Sequence, residues 1–350
     1  MNAKRFFILS LSLCFVLLFV TAPITSGADK PIILKLAPGN LPNDKALFGG
    51  IPEWKSEIEK RTQGRVKIDV YYGGTLAKGR ENIDAMQSDL ADVIFPAPHH
   101  QPGKLPLYTI GDLPGLTNDY WAKAKAFHDL AMTEKPLLDE FAKFGGHPIG
   151  SAYYPPGGLI SGKPIKTLDE MKGLKISARF PSSDLIAKFG AAPLSIAPPE
   201  EYEALLRRTV DAIACPVAAV YDFKFWEVAK YYTTFNLGDR QHVLLINDSS
   251  FAKLTPADQK IIDDFAEEYQ EISYKACAIG LEPRGTEDMK KNGVNFVTPN
   301  SSDKAKLLVA ANEVAAAWVD EMTKKGLPGF ALFNRYKELI KKYEAISPYK

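Results

Sequence analysis

The sequence predicts an α/β protein of two lobes, and three observations predict it. Residues 32–95 run strand, helix, strand, helix, strand, the order of a parallel sheet with helices on its faces. Residues 166–216 alternate in the same way. Third, Glu81–Phe95 aligns without a gap on Glu200–Ala214, with Ala85 matching Ala204, Asp92 matching Asp211 and Ile94 matching Ile213. The alignment reads either as an internal repeat or as the general likeness of helix–strand units. As a repeat it assigns one copy to each lobe, with ligands held between lobes at the strand C-termini.

The first 28 residues stand apart from the fold. Lys4 and Arg5 form a basic start, Phe6–Val20 an apolar run, and Ser26-Gly27-Ala28 a small-residue cleavage site, the pattern of a secretory signal peptide. The apolar run is short for a membrane span, and no later segment comes near one. Leu13 before Cys14 argues against a lipoprotein. The 43 Lys and Arg against 42 Asp and Glu give no basic patch for nucleic acid or an anionic membrane. Cys215 and Cys277 are expected as buried thiols, since a chain of this size needs no disulfide staple.

In order, Ile32–Leu36 alternates as a strand and Ala37–Pro42 is turn-rich. Ile51, Trp54 and Ile58 recur at helical spacing until Gly64. Val66–Tyr72 is a strand, Gly73–Arg80 a loop, and a helix through Met86 leads to a strand at Ala91–Phe95. Pro96–Pro114 reads as loop. Its His99-His100 pair makes a poor metal site, because adjacent side chains diverge and no third ligand is near. Helices cover Trp121–Leu130 and Pro136–Phe144, and Pro155-Pro156-Gly157-Gly158 marks a boundary.

Thr167 and Glu170 form a capping box for a short helix that Gly173 ends. Strand Leu174–Phe180 turns Lys175, Ser177 and Arg179 to one face. Helix Asp184–Phe189 and strand Leu194–Ile196 follow. Pro199, Glu200 and Glu201 open a helix, and Thr209–Pro216 is a buried strand. Phe223–Val228 reads as an aromatic helix, either core or pocket wall. Val243–Ile246 is a strand. From Thr255-Pro256, apolar residues keep helical spacing to Ile279. With a kink at Pro283 this helix reaches about Lys290, roughly 50 Å long, enough to cross between lobes. Lys304–Lys325 and Phe333–Tyr343 close the chain as helices.

Several of these segments, in this order, resemble the solute-binding proteins of tripartite ATP-independent periplasmic (TRAP) transporters. They are Tyr71–Leu76 before Ala85-Met86-Gln87-Ser88, Pro102–Leu107 through Asp112–Leu116, and Gly173-Leu174-Lys175-Ile176. Gly190–Pro193, Tyr202–Leu205 through Val210-Asp211, Phe223-Lys224 and Glu227–Tyr231 continue the likeness. The resemblance implies a two-lobe periplasmic binding protein, type II-like, with an interlobe cleft, crossing strands and a long lobe-crossing helix. Residues 29–152 plus about 243–278 form lobe I; residues 153–239 plus about 283–350 form lobe II. It further implies a periplasmic protein that captures a small organic acid and delivers it to small and large membrane subunits, with no cofactor, metal, nucleic acid or membrane insertion of its own.

Where similar proteins carry a carboxylate-clamping arginine after Gly-Leu-Lys-Ile, this chain has Ser177. Arg179, two residues on, either takes that role or lies on the surface. The asparagine or Pro-Trp pair often found after the second Val-Asp is absent, and Cys215-Pro216 stands there. A second basic ligand residue would fall near Gly157, beside Tyr153 and Tyr154. The expected binding set is Arg179, Ser177, Cys215, Tyr153, Tyr154, Phe180 and Trp226, with Asn40 and Phe95 from the first lobe. Its rings suit an acid with an apolar or aromatic body.

Two other functions compete. A sensor that presents its ligand to a signalling receptor shares every feature above. A secreted hydrolase is disfavoured, since the sequence has no Gly-x-Ser-x-Gly, His-Glu-x-x-His, Walker A or Gly-x-Gly-x-x-Gly. An enzyme is therefore not expected.

Overall fold

Two β-sheets of one topology organise the chain. The computed structural model describes residues 30–39 and 50–349; the signal segment, Cys14 and Asn40 lie outside them. The first half contains β1 (Ile32–Ala37), α1 (Ile51–Arg61), β2 (Val66–Val70), α2 (Asn82–Gln87), β3 (Val93–Ile94), α3 (Tyr120–Thr133), α4 (Lys135–Ala142) and β4 (Gly146–Tyr154). Next come β5 (Gly158–Ser161), β6 (Lys175–Ser177), α5 (Ser182–Ala187), β7 (Ala192–Leu194), α6 (Pro198–Leu206), β8 (Ala212–Cys215), α7 (Val217–Asp222), β9 (Tyr231–Thr233) and β10 (Arg240–Asn247). The chain finishes with α8 (Asp248–Phe251), α9 (Pro256–Tyr274), α10 (Glu282–Lys291), β11 (Asn295–Val297), α11 (Ser301–Lys324) and α12 (Gly329–Ile346).

The first sheet has the order β2-β1-β3-β10-β4 and the second β11-β9-β5-β8-β6-β7. Read from the other edge, the second repeats the first, with β6 for β1, β8 for β3 and β5 for β10, and adds β11 beyond β9. Local detail repeats too. Asp92 accepts from the Lys35 N–H at 2.8 Å and returns its own N–H to the Lys35 carbonyl at 2.9 Å. Asp211 does the same with Lys175, at 2.8 and 2.7 Å. Asp89 and Arg208 both take φ +57° at the turn before these strands. The aligned segments are therefore a structural repeat.

One strand in each sheet runs against its neighbours, β10 in the first and β5 in the second. Each is entered from the other sheet, β4 leading into β5 and β9 into β10. The two crossings are tied by Gly157 N–H to the Gly238 carbonyl at 3.1 Å and Leu237 N–H to the Gly157 carbonyl at 2.9 Å. Because the antiparallel strands start where parallel ones end, both crossings lie at the carboxyl edge of both sheets.

The sequence reading places no strand at β4, whose Gly146, Pro148 and Gly150 look like loop. The structure explains Pro148 and Gly150. β4 is an edge strand, where proline is tolerated. Gly150 has φ +145°, and a Cβ there would sit 2.7 Å from Tyr269 of α9. Elsewhere, the expected capped helix at Thr167 is a single 3-10 turn, Asp169–Met171, with the Glu170 carboxylate accepting from the Lys166 N–H. Phe223–Val228 is also not an α-helix. Lys224 takes a left-handed conformation, φ +56°, leaving a 3-10 turn at Phe225–Glu227.

The long helix does run between lobes. Its α9 half packs Ile262, Phe265 and Tyr269 into the core beneath the first sheet. Its α10 half meets α7, where a Cβ on Gly285 would lie 2.9 Å from Val217. Between them Lys275–Leu281 is a π-helix, whose wider turn precedes Pro283, a residue that cannot join the regular ladder.

A second helix crosses as well. Leu307, Ala310, Ala311 and Val314 of α11 pack in a core of the second sheet, whereas Ala315, Trp318 and Met322 pack with α3. α12 then lies on α3 through Leu332, Tyr336, Leu339 and Tyr343. The sequence reading puts all of residues 283–350 with the second lobe; packing divides them, because the apolar face of α3 needs a cover and α12 supplies it. Cys215 and Cys277 are buried in different cores.

Candidate functional site

The carboxyl edges of the two sheets meet at a buried cluster of charge. From the second sheet, β6 ends in Ser177 and the chain continues to Arg179. Both side chains reach back to Glu201, in the first turn of α6. Ser177 Oγ donates to Glu201 Oε1 at 2.6 Å, and Arg179 Nη1 donates to the same oxygen at 2.8 Å. The Arg179 and Glu201 side chains are 9% and 3% exposed. Burial pushes the Glu201 carboxyl upward, and Arg179 and Ser177 oppose the shift.

The first sheet contributes the opening residues of β10. Arg240 pairs in register with Tyr154 and is 8% exposed. Burial, and then the nearby Arg179 charge, hold its guanidinium below the usual arginine range. Period 2 places His242 on the same face. The His242 ring stacks on Phe95 at 4.8 Å and 23°, with the Tyr154 ring at 6.1 Å and His99 at 6.3 Å.

Behind Arg240 lies a second carboxylate. Asp112 Oδ1 accepts from the Gln241 N–H at 3.1 Å, and Oδ2 is 3.5 Å from His99 Nδ1. Burial raises its pKa to about 7, against the pull of Arg240. Alongside, the Lys123 ammonium bonds Asp239 at 2.6 Å and the Leu113 carbonyl at 2.7 Å, and Gln241 Nε2 donates to Asp239 at 2.9 Å. The segment that crosses into β10 is thereby held firmly.

Two fully buried donors of this cluster are left over. Arg179 Nε and Arg240 Nε are both buried, and neither has a hydrogen-bond partner among the described residues. A guanidinium without its bonds is costly to bury, so two unanswered Nε groups in one place mark a position for an anion. Farther out, Arg80, after β2, donates to Ser195 Oγ, after β7, at 3.0 Å; the loops of the two edges touch there.

The structure thus gathers Arg179, Ser177, Tyr154 and Phe95 of the expected set. Cys215, at the end of β8, lies close enough for Glu201 to add to the effect of burial in raising its thiol pKa. Tyr153 does not join them. Alternation sends it to the opposite face, between Tyr274 at 5.0 Å and Tyr120 at 6.5 Å. Phe180 packs against two apolar cores, and Trp226 carries the Lys230 ammonium 5.9 Å over its ring. Asn40 is outside the described residues. Sequence reasoning missed Glu201 as a partner and did not single out Arg240, His242 or Asp112 as site residues. Arg240 and His242 share the period-2 face of Leu244 and Ile246, but the strand was expected to begin only at Val243. That the N-terminal end of β10 lies at a carboxyl edge follows from its antiparallel pairing, which the sequence does not show.

Comparison with known proteins identifies the family and the fold. Residues 39–322 match the model of bacterial extracellular solute-binding protein, family 7. A solute-binding protein of Verminephrobacter eiseniae is 27% identical over 284 residues, 79% of this chain and 82% of that protein. The 2,3-diketo-L-gulonate-binding periplasmic protein of Escherichia coli is 26% identical, over 69% of this chain and 74% of its own length. Among solved structures, a TRAP periplasmic solute-binding protein from Bordetella bronchiseptica with bound (R)- and (S)-mandelate is similar at TM-score 0.78 and 25% identity. That match covers 89% of this chain and 99% of the other. A TRAP solute-binding protein from Rhodoferax ferrireducens, in complex with copurified benzoate, shares the fold at TM-score 0.82 and 22% identity, covering 90% and 99%.

Proposed function

Since the chain belongs to family 7 of the bacterial extracellular solute-binding proteins, those of TRAP transporters, we propose that it captures a small organic acid between its lobes and delivers it to a membrane permease. The observation that carries the reading is the pair of buried, unpartnered Nε donors on Arg179 and Arg240. A carboxylate accepts from both, one oxygen to each. The Phe95–His242 stack and the Tyr154 ring stand beside them, and they favour an acid with an apolar or aromatic body. The family is one of transport components rather than enzymes, and the cluster serves binding.

The same reading covers location and partners. The signal segment is cleaved after Ala28, the protein works in the periplasm, and small and large TRAP subunits receive the ligand. Lobe I comprises residues 29–152 plus about 243–278, with α12 against it. Lobe II comprises residues 153–239 plus about 283–314, with the boundary inside α11. Bound mandelate and copurified benzoate in proteins of this fold support an aromatic monoacid.

Native mass spectrometry of the purified protein, followed by calorimetry with the acid that copurifies, tests the proposal. Losing one partner of a buried charged pair costs about 2–5 kcal/mol, so Arg240→Ala should weaken the acid roughly thirtyfold or more. A copurified ligand with no carboxylate, or an Arg240→Ala variant that melts normally and binds as the parent does, would overturn it.

A further inference from the structure

We propose that Glu201 is a built-in counter-carboxylate that restricts the site to ligands carrying one carboxylate rather than two. The inference rests on the carboxylate reading above and goes further, to the charge of the ligand.

Two guanidiniums share one buried place, and each needs an anion. Glu201 answers Arg179. Its Oε1 takes both the Arg179 Nη1 and Ser177 Oγ donors, a cationic and a neutral hydrogen bond together, which is what a second carboxylate of a ligand would need. The anchoring is firm. Pro198 and Pro199 open α6, and the helix sets Glu201 inward at 3% exposure, facing Ser177 at the end of β6.

Arg240 has no such internal answer. No hydrogen bond of its guanidinium is made within the described residues, and its Nε is buried. The other carboxylate within electrostatic reach, Asp112, turns one oxygen to the Gln241 N–H and the other toward His99. One ligand carboxylate therefore completes the cluster, bonded to Arg240 and to the spare Nε of Arg179. A second carboxylate would find its slot filled and would meet the negative charge of Glu201 in a poorly solvated place, where like charges repel strongly.

Calorimetry on the full protein compares acids of matched skeleton, benzoate against phthalate and butyrate against succinate. The parent should favour the monoacid by roughly tenfold or more in each pair. Glu201→Gln keeps the shape and the Ser177 contact while removing the charge; it should narrow or invert that preference by roughly tenfold or more. A parent that binds succinate or phthalate as tightly as the monoacid overturns the inference even if the variant does not fold. So does a folded Glu201→Gln protein with an unchanged preference. If Arg240→Ala still abolishes monoacid binding in that case, the carboxylate reading stands and only the role of Glu201 falls. Binding of none of the four acids at millimolar concentration overturns this inference, whereas the carboxylate reading then falls only if the copurified ligand also lacks a carboxylate.

Discussion

Arg179 has two duties at once. It neutralises Glu201, and its buried Nε, without a partner among the described residues, is the donor that the proposed function gives to the ligand. Arg179→Ala removes both, so carboxylate affinity should fall roughly thirtyfold or more. The melting temperature should fall with it, because a buried Glu201 without its cation is strongly destabilising. Arg179→Lys should recover little binding, since an ammonium lacks the planar fork that serves Glu201 and ligand together. Lys175, on the same sequence period but exposed at the start of β6, should change affinity by less than about threefold when replaced by alanine. Calorimetry with a copurified acid separates these outcomes; Arg179→Ala within about threefold of the parent would remove Arg179 from the site. The sequence made Arg179 and Ser177 legible because they end an alternating strand. Glu201 looked like an ordinary first-turn acid, and nothing local showed it turning inward.

At the scale of elements, the crossing strands β4, β5 and β9 have no counterpart in the pattern of the sequence. Chains pass close together where β5 begins. A Cβ on Gly158 would lie 2.4 Å from the Thr233 carbonyl and 2.7 Å from the Tyr232 ring. The Tyr232 hydroxyl also accepts the Gly158 N–H at 2.9 Å. Gly158→Ala must therefore push β5 and β9 apart, and the neighbour that has to yield is partly backbone. Overpacking of this kind costs about 1–3 kcal/mol, visible as a lower denaturant midpoint. Gly162→Ala, with nothing within 4 Å of its Cβ, is the control. Equal midpoints for the two variants would show that the crossing is not tightly packed.

For the whole molecule, buried carboxyls set the pH response. Burial raises Asp112, Glu140, Asp222 and Glu282 to about 7. Glu140 sits under the Leu107 and Tyr108 N–H groups at 2.8 Å each, and Glu282 under the Ala218 N–H at 2.9 Å. Between their unfolded values and about 7 the native chain holds protons that the unfolded chain has released, so stability falls as pH rises through that window. His128 opposes this. Burial lowers it to about 4, so from there to its unfolded value the unfolded chain binds the extra proton and stability rises with pH. Four groups outweigh one. The melting temperature should be higher at about pH 5.5 than at about pH 8, by roughly 5 °C or more. Calorimetric scans showing a flat or rising melting temperature over that range would contradict it.

By itself the sequence determined the alternation of strands and helices, the long helix between lobes and the period that sets Ser177 and Arg179 on one strand face, and it left the duplicated helix–strand unit as one of two readings. Those features are written in periodicity, capping and turn residues, which act over a few positions of chain. Only the tertiary structure decided that β10 and β5 run antiparallel, that α11 crosses and α12 returns to α3, and that Arg240 meets Arg179 and Glu201. Each joins residues far apart in sequence, and pairing direction depends on which surfaces remain to be buried once the local elements have formed. The charge balance of the site is likewise a property of the assembled cluster, because a guanidinium in water needs no partner and one at the meeting edge of two sheets does.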